Sequence, residues 1–323
     1  MALESALAAA AAALRGATSV IIGSHVEPDG DAVGSTLGLA SALTLAGIDA
    51  GVVLASGGGC PSTYAFLPGS DRYRDPDGFE APDVFVSLDS PALHRLGRAE
   101  PLARSARTLV VIDHHPDASA DGDINVLDPE AAATGCLVWR LLPHLGVTAD
   151  RVTADCLYAA LLTDTGRFSY GNTTPETLRT AADLVDAGAH PHEIYAAIYE
   201  TRSGGAQLLL GRTLERIALA NGGQIAYAWI DGNDFAETGA RPEEAENLIE
   251  YVRALGGVRA VFLAKANGGT VRVSLRAKDE TDVGAIARGF GGGGHRAAAG
   301  FTWEGTLTGL LEALLPALPG GAR

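Results

Sequence analysis

Short apolar segments alternate with helix-like segments over the first 190 residues of the chain. Five runs are typical of buried strands: SVIIGS, AGVVLA, DVFVSLD, TLVVID and DINVLD. Three longer runs between or after them are typical of helices: DAVGSTLGLASALTLAG, AAATGCLVWRLLPHLG and RVTADCLYAALLTD. Apolar strands that alternate with helices predict a mainly parallel sheet sandwiched by helices.

The pattern changes after about Thr173, where consecutive helices are predicted in TTPETLRTAADLVDAGA, PHEIYAAIYETRS and GAQLLLGRTLERIALANGG. Strands return at QIAYAWI, VRAVFLAKA, GTVRVSLRA and AAGFTW, with helices predicted in EEAENLIEYVRALGG and DVGAIARGFGG. A chain of 323 residues is also long for a single core. We therefore predict an α/β protein with a first domain at 1–190, a helical connector at 191–215 and a smaller α/β domain at 216–323.

Composition and charge narrow the class of protein. The formal net charge is −15 and no basic run occurs, which argues against binding of long duplex nucleic acid through its phosphates. No apolar run reaches the ~20 residues that span a bilayer, and the N-terminal LESALAAAAAALRG is predicted to be a surface helix rather than a signal peptide. Three widely spaced cysteines without a CxxC motif favour reduced thiols and a cytoplasmic location.

The stretch SHVEPDGDAVGS places His25, Asp29 and Asp31 directly after the first predicted strand. Asp31 is also a favourable N-cap for the helix that follows. Pro28 and Gly30 predict a turn that could direct both carboxylates inward. Taken alone, the stretch is equally consistent with a metal site and with a capped loop.

Three further stretches place ionisable groups at the ends of apolar segments. VVIDHHPD supplies Asp113, His114 and His115, VFVSLDS supplies Asp89, and ALLTDTGRF supplies Asp164. Asp89 alone would read as a helix cap and Asp164 alone as a turn residue, but ligands gather at the carboxyl ends of parallel strands. Imidazole with carboxylate suits Mn, Fe, Co or Zn, and a set of this size suits two ions that clamp a phosphoryl group.

These four stretches resemble the motifs of the DHH phosphoesterase superfamily, named for the Asp-His-His run at 113–115. Near the C-terminus, VSLRAKDETDVGAIARGFGGGGHRAAAGF resembles the signature of the DHH-associated C-terminal domain, and DPEAAATGCLV lies between the two. The resemblance covers nearly the whole chain. It is strongest to the subfamily of bifunctional oligoribonucleases and pAp phosphatases, which also includes cyclic-dinucleotide phosphodiesterases.

The resemblance implies roles for individual residues. It implies that two metal ions, Mn²⁺ with Mg²⁺ or Co²⁺ as alternatives, are held by six side chains: His25 and Asp29 on one ion, Asp31, His114 and Asp164 on the other, and Asp89 between them. It further implies that His115 lies beside the scissile phosphate and that Asp113 orients a histidine. The substrate-binding residues that it implies are Arg95, Ser274, Arg276, Gly292, Gly293, Gly294 and His295. Glycines of such a loop let backbone N–H groups approach an anion.

The expected activity is metal-dependent hydrolysis of short oligoribonucleotides (pApA, nanoRNA) to mononucleotides, and of 3′-phosphoadenosine 5′-phosphate (pAp) to AMP. The resemblance also implies a cleft between the domains that selects short substrates, and a homodimer. Opening of cyclic di-AMP (c-di-AMP) by the same residues is the close alternative. A nucleotide receptor that binds without cleaving is the alternative from another class of protein. The two lysines of the chain disfavour a family pyrophosphatase, which carries a motif rich in Arg and Lys.

Overall fold

The structure is a computed structural model that describes residues 3–201 and 203–321. It divides into two compact units, Met1–Thr201 and Arg202–Arg323. The division falls inside the segment 191–215 that is predicted to be a connector. Each unit has its own sheet and its own hydrophobic cores.

The first unit contains six strands and seven helices. The strands are β1 (Val20–Ser24), β2 (Ala50–Val53), β3 (Tyr73–Arg74), β4 (Val84–Leu88), β5 (Thr108–Asp113) and β6 (Ile124–Leu127). The helices are α1 (Leu3–Gly16), α2 (Gly30–Leu45), α3 (Glu100–Ser105), α4 (Thr134–Leu145), α5 (Arg151–Asp164), α6 (Pro175–Asp186) and α7 (Pro191–Tyr199).

All six strands of the first unit are parallel and run in the order β3-β2-β1-β4-β5-β6. Every residue of β1 and β4 is buried, because hydrophobic cores cover both faces of the sheet. The predicted parallel sheet sandwiched by helices is therefore confirmed. The order reverses between β1 and β4, and open sheets of this kind bind ligands at such a switch point, beyond the carboxyl ends of the strands.

Helices α2 and α5 pack closely, and this packing matters for the site because α2 carries Asp31 and α5 ends at Asp164. A Cβ atom added at Gly34 of α2 would lie 2.5 Å from the carbonyl oxygen of Cys156 on α5. A Cβ added at Gly38 would lie 2.5 Å from the Leu157 side chain. Glycine at these positions allows the backbones to approach and brings the two carboxylates toward each other.

The second unit contains the remaining elements. Its strands are β7 (Ala218–Ala220), β8 (Ile225–Ile230), β9 (Ala260–Asn267), β10 (Thr270–Ala277), β11 (Gly293–Gly294) and β12 (Ala298–Glu304). Its helices are α8 (Gly204–Glu215), α9 (Gly232–Thr238), α10 (Leu248–Arg253), α11 (Val283–Gly289) and α12 (Leu307–Leu314). The sheet order is β11-β12-β10-β9-β8-β7, in which only the β8–β9 pairing is parallel. The predicted smaller α/β fold is confirmed.

Two predicted helices differ from the structure. The prediction of one helix over residues 205–223 is wrong at its C-terminal end, because Ala218–Ala220 pairs with β8 as an edge strand. The predicted helix at 243–257 is interrupted at Asn247, whose φ of 64° is left-handed, so that only Leu248–Arg253 is α-helical there. Strand pairing in the first case and a left-handed turn in the second override helix propensity.

Helix α1 is the surface helix predicted for the N-terminal segment. It packs Leu7, Ala10 and Leu14 against the core of the first unit. Within residues 3–201 and 203–321, no helix has the length and apolar character needed to cross a bilayer.

Candidate metal centre

The predicted site residues of the first unit collect at the switch point of its sheet. His25 follows β1, Asp89 follows β4, and His114 follows β5. These three strands are neighbours in the sheet, so their carboxyl ends lie side by side. Asp89 adopts a left-handed backbone conformation with φ 52°, which is uncommon outside glycine and costs on the order of 1–3 kcal/mol.

The two aspartates of the first stretch have different local roles. Asp29 is the N-cap of α2, because its Oδ1 accepts from the N–H groups of Asp31 and Ala32 at 3.1 Å each. The capping role considered for Asp31 therefore belongs to Asp29. Asp31 is buried in the first turn, with its carboxylate directed toward His114.

The side chains converge in two groups that share Asp89. In the first, His25 Nε2 lies 3.6 Å from Asp89 Oδ2 and 4.0 Å from Asp29 Oδ1. In the second, His114 Nε2 lies 3.7 Å from Asp89 Oδ1, 3.7 Å from Asp31 Oδ2 and 3.5 Å from Asp164 Oδ2. Asp89 Oδ2 thus faces His25, whereas its Oδ1 faces His114 and also lies 3.6 Å from Nδ1 of His115.

These distances and donor types fit divalent cations. The separations of 3.5–4.0 Å are longer than hydrogen bonds. They lie within the limit of about 4.2 Å for two atoms bound to one ion through bonds of about 2.1 Å. Imidazole and carboxylate donors of this kind suit transition-metal ions. Three overlapping groups of possible ligands occur among the described residues: His25, Asp29 and Asp89; Asp31, His114 and Asp164; and Asp89, His114 and His115. The six ligands that the resemblance implies all belong to these groups, and His115 belongs to one of them as well.

Backbone carbonyl groups orient both imidazoles. His25 Nδ1 lies 2.7 Å from the carbonyl oxygen of Val26, and His114 Nδ1 lies 3.1 Å from that of Ala131. A ring whose Nδ1–H donates to a carbonyl oxygen carries on Nε2 the lone pair that can bind a metal. In both rings Nε2 is the atom that faces the carboxylates.

His115 is held differently. Its Nδ1 lies 2.8 Å from Oδ1 of Asp113, and its backbone N–H donates to the same oxygen at 2.7 Å. Asp113 is fully buried, so this contact fixes the ring firmly. Since Asp113 occupies Nδ1, the remaining ring nitrogen of His115 is the atom that a substrate could meet.

The electrostatics of the cluster favour a bound cation. Burial raises the pKa of Asp31 and Asp164 well above the ordinary value, and neighbouring carboxylates add to the effect. Burial would also raise the pKa of Asp89, but the close contact with His25 and the nearby imidazoles lower it below the ordinary range. Buried carboxylates at such distances repel one another unless positive charge is supplied.

The pKa of His25 predicts how metal affinity depends on pH. Burial alone would lower this pKa, but the close contact with Asp89 and the charges of Asp29 and Asp89 raise it to about 9, above the ordinary 6.5. Without metal the ring is therefore protonated at neutral pH, and its stabilising effect is lost as pH rises from about 6.5 toward 9. A metal ion needs the neutral ring, so Mn²⁺ should raise the melting temperature more at about pH 8 than at about pH 6. Thermal unfolding with and without Mn²⁺ checks this, and an equal shift at both values would contradict it.

Three residues near the cluster are not among the predicted site residues. Asp31 Oδ1 accepts from Ser35 Oγ at 2.7 Å and from the N–H of Gly135 at 3.0 Å, and its Oδ2 accepts from the N–H of Thr134 at 2.6 Å. In the sequence, these two backbone donors are marked only by the Thr-Gly pair, Thr134 and Gly135, in the stretch DPEAAATGCLV. It carries no charge, so only the folded chain shows which carboxylate it contacts.

Four of the predicted substrate residues of the second unit lie on two strands that flank a third. Ser274 and Arg276 belong to β10, and Gly293 and Gly294 form β11, with β12 between them. Ser274 and Gly293 are both in register with Gly300 of β12. The structure therefore brings these residues onto one part of the sheet.

The individual environments of these residues differ. Arg276 Nε donates to Glu250 Oε1 at 2.9 Å, which holds the guanidinium in place. The N–H of Gly292 donates to the carbonyl oxygen of Ala287 at 2.9 Å, so this N–H is already used within the loop. A Cβ at Gly292 would collide with the carbonyl oxygen of Gly300, whereas Gly294 has a φ of 128°. His295, half-buried, follows directly.

Arg95 lies in the first unit, in the 3₁₀ segment Leu93–Ala99. Its side chain is exposed, and its carbonyl oxygen accepts from the N–H of Val26 at 2.7 Å. The residue is therefore attached through its backbone to the loop that carries His25.

Comparison with known families agrees with this arrangement. The family model described as DHH family, N-terminal domain, matches residues 19–161, and the DHHA1 domain model matches residues 222–318. The bifunctional oligoribonuclease and PAP phosphatase NrnA of Thermus thermophilus is 36% identical over 288 residues, which are 88% of this chain and 84% of that protein.

Solved structures show the same fold. An exopolyphosphatase-related protein from Bacteroides fragilis superposes with a TM-score of 0.87 at 24% identity, covering 96% of this chain and 94% of that one. RecJ in complex with Mn²⁺ from Thermus thermophilus superposes with a TM-score of 0.50 at 18% identity, covering 97% of this chain and 53% of that one.

Proposed function

We propose that this chain, which belongs to the DHH family and also carries a DHHA1 domain, is a metal-dependent phosphoesterase acting on short nucleotides. Its substrates would be short oligoribonucleotides such as pApA and nanoRNA, hydrolysed to mononucleotides, and pAp, dephosphorylated to AMP. The observation that carries the proposal is Asp89, whose two oxygens face His25 and His114 at 3.6 and 3.7 Å. The similarity to NrnA of Thermus thermophilus, named as an oligoribonuclease and PAP phosphatase, supports the choice of substrate.

In this proposal the six side chains of the cluster hold two divalent cations. His25 and Asp29 would hold one, Asp31, His114 and Asp164 the other, and Asp89 would bridge them. When bound, the two cations would supply Lewis-acid chemistry, which activates water near neutral pH and neutralises charge on the phosphate oxygens. Mn²⁺ is the preferred ion because of the donor set and because RecJ, of similar fold, was solved with Mn²⁺, with Mg²⁺ and Co²⁺ as alternatives.

The residues around the cluster would act directly on the substrate. His115, held through Nδ1 by Asp113, would donate a hydrogen bond from Nε2 to a phosphate oxygen or to the leaving alkoxide. In the second unit, Ser274, Arg276, Gly293, Gly294 and His295 would bind the part of the nucleotide that is not cleaved. Arg276 suits this role because a guanidinium already oriented by Glu250 can bind a phosphate without losing further freedom. Gly292 would contribute through the shape of the loop, and Arg95 through its exposed guanidinium.

Hydrolysis of a substrate panel tests the proposal. The panel contains pAp, pApA, RNA of increasing length, c-di-AMP, long single-stranded DNA and pyrophosphate, each with Mn²⁺. We expect rapid cleavage of pAp and pApA and a rate that falls with RNA length. Arg276→Ala should raise KM more than it lowers kcat, because Arg276 is assigned to binding.

The same panel decides between the alternatives. Cleavage of c-di-AMP at a rate similar to that of pApA would favour the cyclic-dinucleotide phosphodiesterase. Nucleotide binding without cleavage of any substrate would overturn the enzymatic proposal in favour of a receptor.

We also propose that the protein acts in the cytoplasm as a homodimer. Its three cysteines are all free, as expected in a reducing compartment. Leu208 on α8 and Leu219 on β7 are exposed by 63% and 59%, which supports a contact with a second copy through this part of the second unit. Sedimentation equilibrium of the full chain measures the oligomeric state.

A further inference from the structure

The segment 131–135, which leads from β6 into α4, contacts the second ligand group at several points. The carbonyl oxygen of Ala131 lies 3.1 Å from His114 Nδ1. The N–H groups of Thr134 and Gly135 donate to the two oxygens of Asp31, at 2.6 and 3.0 Å. Both ligands are therefore oriented by one short stretch of backbone.

Thr134 also reaches the shared carboxylate. Its Oγ1 donates to Asp89 Oδ1 at 3.1 Å, and its side chain is fully buried. The Asp89 and Asp31 oxygens that Thr134 contacts are the two that lie 3.7 Å from His114 Nε2. Thr134 thus orients one oxygen of Asp31 and one oxygen of Asp89 toward Nε2 of His114.

Asn172 connects the same segment to the fourth ligand. Its Nδ2 donates to the carbonyl oxygen of Ala132 at 3.0 Å and to that of Asp164 at 3.1 Å. The backbone of Asp164 is therefore tied to the segment that orients His114, Asp31 and Asp89. Residues 131–135 thus hold three of the four ligands through direct contacts with their side chains, and the fourth, Asp164, through its backbone.

In the first ligand group, fewer contacts from the rest of the protein orient Asp29 and His25. The Asp29 side chain is 60% exposed, and its hydrogen bonds within the described chain go to the N–H groups of its own helix. His25 is oriented by the carbonyl oxygen of the next residue, Val26. The two groups thus differ in how strongly the protein orders them before an ion binds.

We infer that Thr134 is a positioning residue whose hydroxyl prepares the Asp31–His114–Asp164 position for a metal ion, so that this position binds more tightly than the one at His25 and Asp29. The inference rests on the proposed pair of metal ions. Its physical basis is that ligands already held in place lose less conformational freedom on binding. Hydrogen bonds from neighbouring residues to metal ligands typically contribute a factor of about 10–100 in affinity.

Titration of the metal-free full chain with Mn²⁺, followed by the electron paramagnetic resonance of free Mn²⁺, tests the inference without substrate. The wild type should show a tight and a weak binding step. Thr134→Val keeps the shape of the side chain but removes the hydroxyl, and it should weaken the tight step by about 10–100-fold. Thr134→Ser restores the hydroxyl and should recover most of the affinity. Asp29→Asn should weaken the other step.

The matched control is Thr213→Val. Thr213 is also fully buried, and its Oγ1 donates to the carbonyl oxygen of Leu209 in the second unit, so its replacement should leave both binding steps unchanged. Thr134→Ala removes the same hydroxyl and replaces Thr134→Val if the valine variant does not fold.

Two results would overturn the inference. One is wild-type affinity for both ions in Thr134→Val. The other is an equal loss at both positions together with a lower melting temperature of the metal-free protein, which would indicate a general structural role. A protein that binds both ions as described but cleaves no substrate would refute the proposed function while leaving the role of Thr134 intact.

Discussion

Asp89→Asn is expected to reduce kcat/KM on pApA by at least about 10³-fold, or about 4 kcal/mol of transition-state stabilisation. Asparagine keeps the shape of the side chain but replaces one of the two oxygens that face His25 and His114 with an amide. An NH₂ group cannot bind a cation, so the variant should hold at most one ion tightly. Steady-state hydrolysis at saturating Mn²⁺ and the metal content after dialysis measure the two effects.

Asp71→Asn is the matched control, because Asp71 is an exposed aspartate of the same unit outside the cluster. It should keep wild-type activity and metal content. Near-normal activity of Asp89→Asn would show that Asp89 does not bridge two ions, and the proposed catalytic centre would have to be abandoned.

His115→Gln is expected to lower kcat by about 10²–10⁴-fold while metal binding is retained. The reason is that Asp113 holds Nδ1 of His115 at 2.8 Å, which leaves this histidine to meet the substrate rather than to bind an ion. Glutamine removes the ring and its ability to donate a proton. Single-turnover hydrolysis of pApA, together with a Mn²⁺ titration, separates the chemical step from metal binding.

His94→Gln serves as the control for this substitution, since His94 is exposed and lies outside the ligand groups. Its kcat should equal that of the wild type. If His115→Gln instead loses a metal ion together with its activity, His115 is a metal ligand, and its proposed action on the phosphate is wrong.

Much of the fold, and the identity of the charged residues of the site, could be predicted from the sequence. Buried parallel strands are recognisable because they are continuous apolar runs, as in Val84–Leu88, and the acidic or imidazole residues that follow them stand out against that background. Asp89 and His114 could be predicted for this reason. Short elements such as Ala218–Ala220 could not, because their state depends on pairing with another strand, here β8, rather than on their own residues.

The roles of neutral hydrogen-bonding residues could not be predicted from the sequence either. Asn172 and Thr134 have no charge and no distinctive spacing, and their importance arises from contacts to Ala132 and Asp89, which lie 40 and 45 positions away in the chain. The capping role in the first stretch also required the structure, since Asp29 and Asp31 are both good N-cap residues and only the start of α2 distinguishes them.

By itself, the sequence determined which side chains can bind cations and that they follow buried strands, because residue type and apolar pattern are local properties. Only the tertiary structure decided the distances between these side chains, which histidines each oxygen of Asp89 faces, and that Thr134 contacts two of the carboxylates. The physical reason is that strand order and the close packing of α2 on α5 bring together residues that are up to 139 positions apart, from His25 to Asp164.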